Sequence, residues 1–233
     1  MPQSEHMPRS DNVTWQETNL SRSSRWRALN AIGATVWLTG LPAAGKSTLG
    51  AALEERLVLG GRPAYLLDGD NLRHGICGDL GFDEADRTRN ILRVGELARL
   101  FADAGAIAIV ALVSPLAGAR QEVRSRHEAD GLAFIEVFLD TPLAECAARD
   151  PKHLYARAAA GEIDDLTGVD QAYEPPVDPE VTVEPGTSVA AAVDAVLGSL
   201  DAIDAGARVA KAGTAGMPPG LQWGRPNNER GVD

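Results

Sequence analysis

The chain has 233 residues, enough for one well-filled α/β domain with appendages rather than two domains. Hydrophobic residues make up 44% and aromatics only 5%, which suits a core of Ala, Val, Leu and Ile, the make-up of a parallel sheet covered by helices. A formal charge of -11, from 22 Lys+Arg against 33 Asp+Glu, argues against a nucleic-acid polymer as partner, because binding along a duplex needs a basic face.

Residues 1–30 are polar with a basic patch at Arg22, Arg25 and Arg27, and read as an arm that docks through Trp15 or Trp26 or as an untethered terminus. From Ala34 strands and helices alternate. "ATVWLTG" is a short β-branched strand ending in Gly40, and "KSTLGAALEERLVLGG" has helical spacing closed by Gly60 and Gly61. "AYLLDGD" is a second strand, followed by a helix in "FDEADRTRNILRVGELARLFADAG" with Asp83 as cap and Gly105 as terminator. "AIAIVALVS" is almost uninterruptedly apolar, the mark of a strand buried on both faces. "AGARQEVRSRHEADG" reads as a polar-faced helix, "FIEVFLD" as a strand, and "TPLAECAARD" as a helix with Thr141 capping and Pro142 in the first helical position. Between Pro151 and Pro179 no strand pattern survives, so this stretch is a functional lid or a disordered insertion. "EVTVEP" and "SVAAAVDAVLGSLDAI" add a strand and a helix. The remainder, rich in Gly, Pro and small residues, reads as a tail without fixed structure. The expected division is an arm at 1–30, a catalytic domain at 31–204 with its lid at about 150–179, and a tail at 205–233. The alternation predicts a mainly parallel sheet with right-handed crossovers and ligands at the carboxyl ends of its strands.

Cys77 and Cys146 lie far apart and match no metal-ligand or disulfide spacing, which fits a reduced, cytoplasmic setting. No apolar run approaches the roughly 18 residues that span a bilayer, and no membrane partner is expected.

"GLPAAGKST", residues 40–48, has the form G-x-x-x-x-G-K-[ST] directly after a predicted strand and at the start of a helix. Backbone N–H groups and the helix dipole then converge on one anion, with Lys46 reaching the β- and γ-phosphates of a nucleotide and Ser47 holding Mg²⁺. Pro42 lacks an N–H but precedes the donors nearest the phosphates. Phosphoryl transfer also needs a carboxylate and cations for the second substrate. "LLDGDNLRHG" offers Asp68 and Asp70 at a strand end, where two close carboxylates repel unless a cation relieves them, and Arg73 beside them. His74 is read as structural. Arg87 and Asn90 share a helix face, with Arg93 a turn further on; such a row is either a ligand-binding face or an ordinary polar surface. Phe82 either stacks on a base or anchors its loop.

The blocks "WLTGLPAAGKST", "LDGDNLRHGICGDLGFDEADRTRN", "LFADAGAIAIVALVSP", "FIEVFLDTPLAECAARDPKHLYARAAAGEI" and "TGVDQAYEPP", in this order, resemble the adenylylsulfate kinases, P-loop kinases that phosphorylate the 3′-hydroxyl of adenosine 5′-phosphosulfate with MgATP. The resemblance, from about Asn12 to about Leu200, implies a three-layer P-loop NTPase fold with a mobile lid. It makes Asp70 the base on the acceptor side, Asp68 a Mg²⁺ partner through water, and Lys46 the third catalytic residue. Gly40, Leu41, Pro42, Ala43, Ala44, Gly45, Lys46, Ser47 and Thr48 would hold ATP, with Arg149 against its adenine. Asp70, Arg73, Phe82, Arg87, Asn90, Ser114, Lys152 and Leu154 would hold the sulfated nucleotide, Lys152 from the lid with Tyr155 nearby.

The resemblance also implies a homodimer and association with an ATP sulfurylase. The sequence departs from the family pattern at Pro42, Ala43 and Ala44, at Leu116, Ala117 and Gly118, where an aromatic and a basic residue are usual, and at His153, where glycine is usual. Two other readings remain open on the residues alone: a P-loop kinase for another small molecule, and a nucleotide-binding regulatory module without phosphotransfer.

Overall fold

The computed structural model describes residue 16 and residues 18–212; Trp15 and most of the expected tail lie outside them. The central sheet has five strands, β1 (Ala34–Thr39), β2 (Ala64–Asp68), β3 (Ile107–Ala111), β4 (Ala133–Leu139) and β5 (Val181–Val183). Their order is β2-β3-β1-β4-β5, and every pairing is parallel. β1 and β3 are buried throughout, as their apolar sequences require. Their side chains alternate between two cores. Val36, Leu38, Ile107 and Ile109 face one, and Trp37, Ala108 and Val110 the other.

Helix α2 (Lys46–Leu59) and the last helix cover the first core through Leu49, Leu53, Leu57, Val196 and Leu200. Helices α4 (Glu84–Ala104) and α5 (Ala117–Ala129) cover the second through Ile91, Val94, Ala98 and Val123. The result is the three-layer parallel α/β arrangement that the alternation predicts. β2 is an edge strand, and Glu54 from α2 accepts the N–H of Leu66 at 2.7 Å, satisfying a donor that an open edge would leave to solvent or another chain.

Local signals place several ends as predicted. Asp83 accepts the N–H of Asp86 at 2.8 Å and caps α4, and Gly105 ends it at φ 103°. Others differ. Within the arm, α1 (Arg22–Leu29) is helical and docked: Arg22 and Arg25 pair with Asp103, and Trp26 Nε1 donates to the Asp103 carbonyl at 3.0 Å, at the exposed end of α4. Pro142, not Thr141, is the cap of α6 (Leu143–Arg149), because the Thr141 hydroxyl donates instead to the Ala44 carbonyl at 3.2 Å. A one-turn helix α3 (Gly69–Arg73) follows β2 and takes in Gly69 and Asp70, which the stretch "AYLLDGD" suggested as the end of the strand. The 150–179 stretch is ordered around helix α7 (Leu154–Ala159) and a Thr167–Gln171 bridge. The final helix, α8 (Val189–Ala212), continues past the predicted domain end at 204. Among the described residues, no helix is long and apolar enough to cross a membrane.

Candidate active site

The carboxyl ends of β1, β2 and β3 open into one cavity of about 880 Å³. On one side is the loop between β1 and α2. It turns through Gly40 at φ 149°, Ala43 at φ 61° and Gly45 at φ 104°. The glycines adopt these angles without steric cost, whereas Ala43 pays about 1–2 kcal/mol for its left-handed backbone. The winding brings the unpartnered N–H groups of the first turn of α2 to one point, a ready anion site. Two loop carbonyls are pinned from outside, Ala44 by Thr141 and Pro42 by the Tyr155 hydroxyl at 3.0 Å. Burial pushes that Tyr155 phenol up.

Lys46 curls back over the loop and donates to the carbonyls of Gly40 at 2.9 Å and Leu41 at 2.7 Å. Burial lowers its ammonium pKa to about 8, against the attraction of nearby acidic groups. The Ser47 hydroxyl donates to Asp68 Oδ2 at 2.6 Å, and Asp68 Oδ1 accepts the N–H of Asp70 at 3.0 Å, capping α3. Asp70 in turn pairs with Lys152, which follows α6, so the stretch read as a lid lies across the cavity with its cation on this carboxylate.

The other side is built from α3, the loop after it and the first turns of α4. Arg73 donates to the carbonyls of Leu80 and Gly81 at 2.9 and 3.1 Å, and its guanidinium carbon lies 4.1 Å from the centre of the Phe82 ring. Phe82 is 58% exposed, unusual for a phenylalanine unless something flat covers it. Arg87 donates to the Phe82 carbonyl at 2.6 Å, to the Thr167 hydroxyl at 2.9 Å and to the Asp165 carbonyl, tying α4 to the 150–179 stretch. Burial, then the neighbouring Arg73, lowers its pKa. Asn90 is buried, and its Oδ1 is the one buried side-chain polar atom without a partner among the described residues. An orphan of this kind costs about 1–3 kcal/mol, a cost removed when a ligand brings a donor. Arg93, a turn further on, is held by Asp79 and the Ile76 carbonyl and does not line the cavity.

Of the residues that the resemblance assigned to catalysis or ligand binding, all but two line this cavity. Gly40 and Leu41 do not: their carbonyls hold Lys46, and the Leu41 side chain packs against Gly168 on the far side of the loop. Leu154 and Ser114 both line it, but the Ser114 hydroxyl is engaged inward, donating to Thr39 Oγ1 at 3.0 Å and accepting from Trp37 Nε1 at 3.1 Å. His153 stands at φ 55°, a backbone that explains why glycine is usual there.

Arg149 sits on the opposite wall with Glu145 as its partner, and the cavity continues past it to the Glu184–Thr187 turn between β5 and α8. That turn escaped the sequence reading; its position at a strand's carboxyl end was the available signal. Tyr155 carries a loop-bracing role that its sequence position gave no means to assign.

Sheet order, phosphate loop and cavity together define a P-loop kinase. The chain belongs to the adenylylsulphate kinase family, whose sequence model matches residues 32–184. An adenylyl-sulfate kinase of Aeromonas salmonicida is 50% identical over 190 residues, covering 81% of this chain and 96% of the relative. The structure of the Mycobacterium tuberculosis APS kinase CysC in complex with AMPPNP and APS superposes with a TM-score of 0.72 at 46% identity, covering 73% of this chain and 99% of that one. The bifunctional enzyme NodQ of Rhizobium sp. (strain N33) is 49% identical over 189 residues, but these cover only 29% of its length.

Proposed function

We propose that the protein transfers the γ-phosphoryl group of ATP to the 3′-hydroxyl of adenosine 5′-phosphosulfate, giving 3′-phosphoadenosine 5′-phosphosulfate and ADP in sulfate assimilation. The observation that carries this reading is the unpartnered Oδ1 of Asn90 in the same cavity as the phosphate loop. A buried acceptor opposite an anion cradle calls for a second ligand with its own donors, beside two guanidinium groups suited to its anionic end and an exposed ring suited to its base.

In this reading Lys46 and the N–H groups opening α2 hold the β- and γ-phosphates, while Arg149 and the Glu184–Thr187 turn receive the adenine of ATP. The hydroxyl of Ser47 and the carboxylate of Asp68 are hard oxygen ligands 2.6 Å apart, a pair that fits Mg²⁺, Asp68 acting through water. Magnesium, when bound, would offset charge on the phosphoryl oxygens. Arg73 and Arg87 meet the phosphosulfate end of the acceptor, Phe82 stacks on its adenine, and Ser114 and Leu154 line its pocket.

Asp70 takes the proton of the 3′-hydroxyl as the new P–O bond forms. Its pairing with Lys152 means that the acceptor's negative charge must draw the lysine away before the carboxylate can act. Arg87, bonded to both the acceptor loop and the Asp165–Thr167 stretch, gives the lid a reason to close when substrate is present, excluding water from the γ-phosphate. A homodimer and association with an ATP sulfurylase complete the proposal; the match to part of a bifunctional protein supports a kinase unit that works beside another enzyme.

The test is ADP release with adenosine phosphosulfate, shikimate, gluconate and AMP presented in turn. Release with adenosine phosphosulfate alone is expected. Faster release with any of the others rejects the assignment, and ATP binding without release in all four marks a regulatory module.

A further inference from the structure

The turn that ends β3 and enters α5 is held by a residue that lies outside the cavity. Arg120, in the first turn of α5, is 3% exposed, and its three guanidinium nitrogens reach three separate parts of the chain. Nε donates to Glu136 Oε1 on β4 at 2.7 Å, Nη1 to the Ser114 carbonyl at 2.7 Å, and Nη2 to the Glu174 carbonyl at 2.7 Å. Ser114 has φ 41°, so its turn is strained and needs an external hold. Glu174, late in the 150–179 stretch, is fixed to the same turn twice more: its N–H donates to the Pro115 carbonyl at 2.9 Å, and its carboxylate accepts the N–H of Ala117 at 2.6 Å.

Next to Glu174, the Tyr173 hydroxyl bonds Thr39 Oγ1 at 2.9 Å. The Thr39 hydrogen is spent on the Val113 carbonyl at 2.8 Å, so Tyr173 is the donor. Burial pushes the Tyr173 phenol up to about 12, keeping it a donor. The end of the lid is therefore bolted across the seam between β1 and β3.

We infer that Arg120 is a positioning residue for the acceptor nucleotide, acting through the Ser114 turn and the Glu174 anchor of the lid without touching either substrate. A buried guanidinium needs one carboxylate for charge balance, and Glu136 supplies it. The other two bonds go to backbone carbonyls on the two pieces that flank the acceptor side. Val113, Ser114 and Pro115 line the cavity, whereas Arg120 does not. Upstream of the anchor, Asp165 and Thr167 hold Arg87. The phosphate loop is braced by Thr141 and by Tyr155 of α7, neither of them bonded to Arg120, so loosening Arg120 disturbs the acceptor side more than the phosphate side. The inference rests on the reading of Ser114 and Arg87 as acceptor-side residues.

The test is steady-state kinetics of Arg120→Lys and Tyr173→Phe against the unaltered protein. Lysine keeps the charge for Glu136 but lacks the planar fork that spans three acceptors. For Arg120→Lys, KM for adenosine phosphosulfate should rise about tenfold, the size of a lost charge-assisted hydrogen bond, with kcat and KM for ATP within about twofold. Tyr173→Phe should move the same ratio in the same direction by less, and it decides the matter if Arg120→Lys does not fold. Unchanged KM ratios in the folded variants, or equal rises for both substrates, overturn the inference while leaving the assigned reaction standing. An unaltered protein that does not phosphorylate adenosine phosphosulfate overturns both.

Discussion

The two walls of the cavity are built in different ways. The phosphate side comes from one run of consecutive residues, 40–48, of which 42–48 line the cavity, and its shape follows from local backbone angles at Gly40, Ala43 and Gly45. The side we assign to the acceptor is collected from α3, α4, the end of β3 and the 150–179 stretch, and is held by long-range bonds such as those of Arg87 to Asp165 and Thr167 and of Lys152 to Asp70. A contiguous cradle owes its turns to adjacent residues, with Thr141 and Tyr155 bracing it from outside. A collected wall depends on pieces far apart in the chain, so it is more easily loosened.

The largest effects should come from separating the two walls chemically. Asp70→Asn should lower kcat by about 10²–10⁴-fold, the usual worth of a positioned base, with ATP affinity retained. Lys46→Ala should weaken ATP binding and turnover together, because its charge serves ground state and transition state alike. Rapid-quench kinetics with an equilibrium titration of an ATP analogue would show whether the two variants differ in this way; loss of ATP affinity in Asp70→Asn would break the division between the walls. Next in size, Arg87→Ala should raise KM for the acceptor by about ten- to a hundredfold, since it removes charge-assisted bonds of about 1.5–3 kcal/mol. It should also make the 150–179 stretch more open to limited proteolysis; unchanged cleavage would deny the coupling between acceptor and lid. The smallest effect belongs to the cradle. Ala43→Gly relieves the left-handed strain but frees the unfolded chain, a net gain of about 0.5–1 kcal/mol. In a chain of this size that is a rise in Tm of about 1–4 °C, measurable by scanning calorimetry.

The same contrast decides what could be read from the sequence. The alternating apolar strands, the caps at Asp83 and Gly105 and the phosphate loop are local, and each is written in a few adjacent residues. The wall we assign to the acceptor needed a resemblance, because spacing alone leaves Arg87 and Asn90 as either a ligand-binding face or an ordinary helix surface. Arg120 was hidden in a helix read as polar-faced. Nothing in "ARQEVRSRHEAD" distinguishes the buried arginine from the exposed ones; only Glu136 on β4 and the carbonyls of Ser114 and Glu174 do so, and they arrive through folding. Tertiary bonds likewise overrode the expected Thr141 cap, since the Ala44 carbonyl competes for the same hydroxyl. The docking of α1 on Asp103 pairs residues about eighty apart, beyond any local pattern.

The central claim is that phosphoryl transfer joins the two walls at the ribose 3′-oxygen. Incubation with adenosine phosphosulfate and ATP labelled in its γ-phosphoryl, followed by phosphorus NMR of the nucleotide product, tests it directly. The account predicts the label on the 3′-oxygen of the sulfated nucleotide, in step with ADP. Label released as inorganic phosphate, or carried at any other position of the acceptor, would contradict it.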